Sequence, residues 1–223
     1  MTISILAFDE KTGAYGGAAT TGSLCVGGWV LRGDARAGLT ASQGSLPSTM
    51  WGGDVLELMH GGMAAESAVQ AVVMADTGRA ERQLSALDPG GQTATFTGDN
   101  SLPTAGTRQA RHVVVAGNLL ASEAVLDACI DGFAAAAGPL DLRLLAALDA
   151  ADRAGGDSRG LLSAALLMVA RDSAPLSLRI DHSDTPLEAL TTLHRHATTG
   201  DYARWAAHVP TLDDPQAATP FPG

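Results

Sequence analysis

The stretch from Thr2 to Thr21, TISILAFDEKTGAYGGAATT, decides the fold because it predicts a hairpin of two antiparallel strands. Ile3, Ile5 and Ala7 occupy every second position of residues 2–9, and a period of two is typical of a half-buried strand. Residues 10–13, Glu-Lys-Thr-Gly, have the composition of a tight turn. Residues 14–21 are small and β-compatible, so they predict the second strand.

Outward from this hairpin, the chain predicts further strands that alternate with pairs of helices. Residues 22–33 predict a short strand and a loop, and residues 198–223 predict an irregular tail rich in Pro and Asp. Helix pairs between antiparallel hairpins favour an α+β fold of sheets covered by helices. We therefore expect a single domain over residues 1–197, followed by the tail. The remaining predicted strands are 35–42, 82–87, 92–97, 111–116, 161–171 and 176–181, and the predicted helices are 51–60, 64–75, 122–137, 139–154 and 185–196.

Composition excludes several classes of function. The chain has 223 residues, of which 46% are hydrophobic and 17% charged, which suits a soluble domain with its own core. Its 14 basic and 24 acidic residues give a net charge of −10, so a phosphate-tracking groove for nucleic acid is not expected. No apolar run approaches the roughly 18–20 residues of a membrane span. The first residues lack the basic segment of a signal peptide, which predicts a cytoplasmic protein with no membrane partner.

Cofactor and metal motifs are missing from the sequence. The chain has no phosphate-binding P-loop, no dinucleotide-binding glycine fingerprint, no H-E-x-x-H and no G-x-S-x-G. His194 and His196 point to different sides of a helix, so together they cannot chelate one ion. We expect neither a cofactor nor a metal. Cys25 and Cys129 lie far apart and predict buried free thiols. The sequence does not exclude a catalytic Ser–His–Asp triad, because the three residues of such a triad can be far apart in sequence.

The first two residues suggest a nucleophile. Met1 precedes a small residue, Thr2, and this is the context in which the initiator methionine is normally removed. An N-terminal threonine carries its own base, since the free α-amine lies within reach of the hydroxyl and has a pKa of about 7.7–8.0. Ser4 lies about 6.5–7 Å further along the strand on the same face, where its hydroxyl could orient a water or the amine. The alternative is that Thr2 simply begins a strand.

An ordered set of short motifs resembles a bacterial family catalogued as domain of unknown function 1028. The resemblance covers about residues 2–195. Its carriers are Thr2–Ala7 with Asp9 and Gly13, Ala41-Ser42-Gln43, Asp76 and Gly78-Arg79 with Arg82-Gln83-Leu84, Phe96-Thr97-Gly98, Ala116-Gly117-Asn118 with Leu120, Ala137-Gly138-Pro139-Leu140, Gly155-Gly156-Asp157 with Arg159-Gly160 and Ser163-Ala164-Ala165, and Leu178-Arg179-Ile180-Asp181.

This resemblance implies a fold and a reaction class. The family is considered similar in fold to the N-terminal nucleophile (Ntn) hydrolases, whose fold is a four-layer αββα sandwich of two antiparallel sheets flanked by helices. It implies an amidohydrolase that acts on a small amide or peptide-like substrate through Thr2, exposed by removal of Met1. The alternative is a catalytically inactive protein of the same fold that binds a ligand or builds a structural oligomer, because fold does not prove activity.

Four further residues are candidates for this site. Asn118 follows a predicted strand, and its carboxamide could donate to an oxyanion or simply cap a turn. Gln43, through its amide or the adjacent Gly44 N–H, could do the same or make a structural hydrogen bond. Asp157 and Arg159 share a glycine-rich loop, where they could bind a substrate carboxylate or form a structural ion pair.

The sequence also predicts a homo-oligomer, most simply a dimer. The helix over Ala124–Ala137 offers small residues that permit close packing, and the Arg79–Arg82 region adds contact candidates. Tyr202, Trp205 and Phe221 are apolar residues in a tail too irregular to build a core of its own. Such residues lie on their own domain or on a neighbour, because aromatic groups left in water promote association.

Overall fold

Two antiparallel β-sheets form the centre of the protein, in a computed structural model that describes residues 2–101, 104–157 and 159–219. The larger sheet has six strands in the order β10-β9-β2-β1-β8-β7, and the smaller has four in the order β3-β4-β5-β6. The strands are β1 Thr2–Asp9, β2 Ala14–Thr21, β3 Leu31–Asp34, β4 Gly38–Gly44, β5 Arg82–Leu87, β6 Thr93–Thr97, β7 Gly106–Ala110, β8 Val113–Asn118, β9 Ser163–Val169 and β10 Leu176–Ile180.

Helices cover the outer face of each sheet. The helices are α1 Val26–Trp29, α2 Trp51–His60, α3 Ala65–Ala75, α4 Ala124–Ala135, α5 Leu140–Arg153, α6 Pro186–Thr198 and α7 Gly200–Ala206. Helices α2 and α3 pack on the four-stranded sheet, whereas α4, α5 and α6 pack on the six-stranded sheet. The predicted α+β sandwich of two antiparallel sheets with helices outside them is therefore confirmed.

Three layers of apolar side chains hold these elements together. Ile3 and Ile5 of β1 point to the helices of the six-stranded sheet. Leu6 of the same strand points the other way and meets Leu39 of β4 between the two sheets. A third layer, around Leu84, joins the four-stranded sheet to α2 and α3. Each fully buried side chain of this kind contributes about 1.5–3 kcal/mol. Strand β1 thus has both faces buried at the centre of the molecule, which fixes its register.

The segment after β2 differs from the prediction of a short strand and loop, because it contains the single-turn helix α1 before β3. Cys25 precedes α1 in the left-handed conformation, with φ 62°. The glycines of α1 allow a close approach by β10, since a Cβ on Gly27 would lie 2.7 Å from Arg179 Cγ. This contact joins residues far apart in sequence, so local pattern could not predict it.

The C-terminal tail also differs from the prediction, because residues 200–206 form helix α7 within it. Tyr202 and Trp205 contact one another with ring centroids 5.6 Å apart, yet both remain about half exposed. Phe221, the third apolar residue of the predicted tail, lies outside the described residues. The rest of the described tail, up to residue 219, has no regular structure.

Helix α4 packs on α5 at one of its small residues, Gly132. Its buried side chains are Val125, Leu126, Cys129 and Phe133, and a Cβ on Gly132 would lie 2.5 Å from Ala150 Cβ of α5. Gly132 therefore permits close packing of α4 on α5, whereas the alanines at positions 124, 134 and 135 are exposed. The dimer itself stays a prediction.

Both cysteines are free, as predicted, but only Cys129 is fully buried. Burial raises the pKa of the Cys129 thiol to about 12, so this group is an inert part of the core. Cys25 is only partly buried, which corrects the prediction for that residue. Among the described residues, no helix combines the length and apolar character that crossing a bilayer requires.

Candidate functional site

Thr2 lies at the end of the central strand of the six-stranded sheet, between β2 and β8. It pairs directly with Thr21 on one side and with Asn118 on the other. Its Oγ1 lies 3.2 Å from Thr21 Oγ1. Directly paired residues point to the same side of a sheet, so these three side chains all face the four-stranded sheet. The structure thus brings the predicted nucleophile and the predicted oxyanion donor Asn118 to neighbouring positions.

A cavity of about 290 Å³ opens at Thr2. Its floor is formed by the ends of β1, β2 and β4, and one wall by the segment that carries α1. Each of the described residues that line it is uncharged. The lining residues are Thr2, Thr21, Ser23, Leu24, Val26, Trp29, Val30, Gln43, Gly44, Ser45 and Pro47.

Three buried carboxamides, Gln43, Gln83 and Asn118, form a hydrogen-bonded amide cluster beneath Thr2. Gln43 Nε2 donates to Gln83 Oε1 at 2.7 Å and to the Thr2 carbonyl at 3.3 Å. Asn118 Nδ2 donates to the same Gln83 oxygen at 3.2 Å. Gln43 comes from the four-stranded sheet and Asn118 from the six-stranded sheet, so the cluster joins both sheets at the threonine.

Gln83 is the centre of this amide cluster and is completely buried. Its Nε2 lies within hydrogen-bond distance of Thr97 Oγ1 at 2.9 Å, the Gly117 carbonyl at 3.0 Å and the Gly106 carbonyl at 3.2 Å. Gln83 was not predicted as a site residue. The available signal was its position, because Gln83 and Ser85 are polar at alternate places in a strand that is apolar at Leu84, Ala86 and Leu87.

Gln43 has its amide nitrogen engaged by Gln83 and Thr2, whereas its Oε1 is buried without a hydrogen-bond partner among the described residues. The sequence suggested two oxyanion donors here, the Gln43 amide and the adjacent Gly44 N–H. Gly44 lines the cavity and has a φ of +130°. A Cβ at Gly44 would lie 2.5 Å from the Glu81 carbonyl, so only glycine fits this position.

Ser4 shares the inward face of β1 with Thr2, as predicted, but it is completely buried between the sheets. Neither its Oγ nor that of Ser85 has a hydrogen-bond partner among the described residues. A buried polar group without a partner costs about 1–3 kcal/mol, so such groups are uncommon in a core that serves stability alone. With Gln43 Oε1, these hydroxyls make the inter-sheet layer under Thr2 polar.

Asp157 holds its loop against the strand that carries Thr21. Its Oδ2 accepts a hydrogen bond of 2.7 Å from the Gly22 N–H. Arg159 donates to the same carboxylate, from Nη2 to Oδ2 at 3.0 Å and from its backbone N–H to Oδ1 at 2.9 Å. Burial raises the pKa of Asp157, but the hydrogen bonds from Arg159 and Gly22 outweigh burial and hold the pKa below its ordinary value. The structural ion pair is present, and carboxylate binding by Arg159 stays a prediction.

We expect Asp157→Asn to lower the free energy of unfolding at neutral pH by about 1.5–3 kcal/mol, because hydrogen bonds to a charged group are lost. The folded pKa of Asp157 is depressed, so its contribution is present above the unfolded pKa of about 3.9 and disappears as pH falls through the folded pKa. Urea unfolding of both proteins from pH 7 to pH 2.5 measures this. A difference that stays constant down to pH 2.5 would contradict the assignment.

The histidines that were considered as ligands do not gather at this site. His194 of α6 is buried, and its Nε2 lies 2.7 Å from Asp141 Oδ2 of α5, so it joins two helices. Within residues 2–101, 104–157 and 159–219, no group of three or more His, Cys, Asp or Glu side chains is arranged to hold a metal ion.

Comparison with known proteins identifies relatives over nearly the whole chain. A family model described as a family of unknown function, DUF1028, matches residues 2–190. The crystal structure of protein SPO2555 from Silicibacter pomeroyi, described with the same family model, is 50% identical in sequence with a TM-score of 0.93. The match covers 97% of this chain and 98% of that one. None of the curated proteins that were compared matches the chain.

Proposed function

The chain belongs to the DUF1028 family of unknown function, and we propose that it hydrolyses a small amide or peptide-like substrate with Thr2 as its N-terminal nucleophile. The observation that carries the proposal is the position of Thr2. Thr2 lines a cavity, and its hydroxyl oxygen lies 3.2 Å from Thr21 Oγ1. The Thr2 carbonyl accepts a hydrogen bond from Gln43 Nε2. The proposal includes removal of Met1 and an Ntn-hydrolase-like fold.

In this reaction Thr2 Oγ1 attacks the acyl carbon while the α-amine accepts the hydroxyl proton. The new ester bond forms as the C–N bond of the substrate breaks, and the α-ammonium returns the proton to the leaving nitrogen. A water molecule, deprotonated by the same amine, then attacks the ester, and the α-ammonium returns that proton to Thr2 Oγ1 as the ester bond breaks and the carboxylic acid leaves. Thr21 Oγ1 is the group that orients the Thr2 hydroxyl before attack.

The amine is the base in this proposal because no lysine is near Thr2. The only lysine of the chain is Lys11, in the turn that joins the far end of β1 to β2. An unperturbed α-amine has a pKa of about 7.7–8.0, so a useful fraction of such a group is neutral at pH 7. The negative charge on the acyl oxygen is assigned to the Gly44 N–H, because Gly44 lines the cavity. The alternative donor is the Asn118 carboxamide, which is buried against Gln83 and is not among the described residues that line the cavity. Donors of this type are worth about 2.7–4 kcal/mol.

The experiment that tests this proposal is active-site labelling of the purified protein. We expect intact mass and N-terminal sequencing to show a chain that begins at Thr2. A β-lactone that acylates N-terminal threonines should modify one site, and peptide mapping should place it on Thr2. The matched control has a lysine inserted between Met1 and Thr2, which prevents removal of Met1 and should abolish labelling. Retained Met1 in the unaltered protein, or a label on another residue, would favour the alternative of an inactive ligand-binding protein.

A further inference from the structure

One wall of the Thr2 cavity is apolar and open to solvent. This apolar wall consists of Leu24, Val26, Trp29, Val30 and Pro47. Two of its members, Leu24 and Trp29, are large hydrophobic residues that remain 54% and 51% exposed. Exposed apolar groups that gather at a cavity mark a binding surface rather than ordinary protein surface.

We infer that the substrate is an uncharged amide whose small apolar acyl group packs against this wall, an inference that rests on the function proposed above. The apolar wall and Thr2 line the same cavity, so a substrate group that packs on the wall lies next to the amide bond that Thr2 attacks. The cavity of about 290 Å³ lies at the small end of the usual ligand range, which suits an acyl chain of a few carbons.

The charge distribution around the cavity favours an uncharged acyl group. The described lining residues include no Asp, Glu, Lys, Arg or His. An ionised acyl group would therefore lose its hydration without gaining a side chain of opposite charge as a partner. The remaining cation at the cavity in the proposed reaction is the α-amine of Thr2, and this amine has to be neutral to act as the base. The carboxylate of Asp157, which contacts Gly22 beside the cavity, already accepts hydrogen bonds from Arg159. The net charge of −10 further disfavours an anionic ligand.

The apolar wall is fixed by hydrogen bonds to β9 and to the end of β10. The Val26 N–H donates to Ser163 Oγ at 3.1 Å, and that hydroxyl donates to the Ser23 carbonyl at 2.7 Å. The Cys25 N–H donates to the Asp181 carbonyl at 3.0 Å. A wall built in advance gives selectivity, because a ligand does not have to order the segment when it binds.

The test measures binding separately from hydrolysis by using the Thr2→Ala protein. The probes are 4-methylpentanamide and succinamate, which have the same number of heavy atoms and differ in an isopropyl group against a carboxylate. 4-Aminobutanamide supplies the cationic comparison. We expect 4-methylpentanamide to bind at least about tenfold more tightly than either charged amide, since burial of two or three carbons is worth that much. Its binding should shift the indole N–H resonance of Trp29 and leave those of Trp51 and Trp205 in place.

Trp29→Ala and Trp205→Ala, each combined with Thr2→Ala, form a matched pair, because the two indoles are similarly exposed at 51% and 48%. We expect the first change to weaken binding of 4-methylpentanamide about tenfold or more and the second to leave it unchanged. Equal binding of the charged amides, no binding of any probe, or equal effects of the two tryptophan variants would overturn the inference. Binding with this preference but no hydrolysis by the unaltered protein would support the apolar wall and contradict only the proposed hydrolysis.

Discussion

Thr2→Ala is expected to abolish amide hydrolysis, with a fall in kcat/KM of at least roughly 10⁴-fold, as when the nucleophile of other covalent hydrolases is removed. Alanine keeps the small second residue that permits removal of Met1, so the α-amine is still free. The variant lacks the hydroxyl that forms the ester, together with the γ-methyl group of threonine. The measurement is hydrolysis of the 4-methylpentanoyl amide by the two purified proteins, followed as release of ammonia.

Thr2→Ser is the matched control for this prediction, because serine retains a hydroxyl beside the amine and should keep measurable activity. Stability separates a chemical role from a structural one. Thr2 is only half-buried, and within the described part of the chain its hydroxyl forms a hydrogen bond with Thr21 alone, so alanine should change the free energy of unfolding by about 1 kcal/mol or less. If the alanine protein hydrolyses the amide as fast as the unaltered one, Thr2 is not the nucleophile.

Gln83→Leu is expected to have the largest effect on stability, lowering the free energy of unfolding by about 3–5 kcal/mol. Leucine has a similar volume but leaves the donors of Gln43 and Asn118 and the carbonyls of Gly106 and Gly117 short of a partner. These groups are enclosed between the two sheets, where a lost hydrogen bond is not replaced by water. Urea unfolding measures the change.

Gln70→Leu is the matched control, because Gln70 is exposed on α3 and the same replacement there should change stability by less than about 0.5 kcal/mol. Gln83→Glu adds a test of pH. Burial raises the folded pKa of the new carboxyl group above its unfolded value of about 4.3, so this variant should lose stability as pH rises above that value. Equal losses for Leu at positions 70 and 83 would show that the amide cluster does not hold the sheets together.

The N-terminal hairpin could be predicted in detail because its information is local. Alternation in residues 2–9 and the turn residues that follow determine both strands, and the register of the hairpin places Thr21 opposite Thr2. The shared face of Thr2 and Ser4 follows from the same period of two. Strand β7 was not predicted, because it is polar and shows no alternation of apolar residues. It lies at a sheet edge and pairs only with β8.

The rest of the candidate site depends on contacts between distant segments. Asn118 and Gln43 were candidates from short motifs, but their common partner Gln83 becomes visible only when the two sheets are stacked. The position of the apolar wall is set by a hydrogen bond to Ser163 and by Arg179, which packs against the glycines of α1. No pattern within residues 22–33 contains those partners, so a strand and loop were predicted there instead of α1.

The central place of β1 also has a consequence for biosynthesis. Strand β1 is the first of these strands to leave the ribosome, yet its partner β8 follows only after residues 113–118 have been made. Pairing at such long separation in sequence gives a high contact order and a slow late step of folding. We therefore expect Met1 to be removed from a nascent chain that is still unfolded at this end. The freed amine would stay chemically ordinary until β8 closes beside it, so reactivity would arise at the end of folding without a separate activation step.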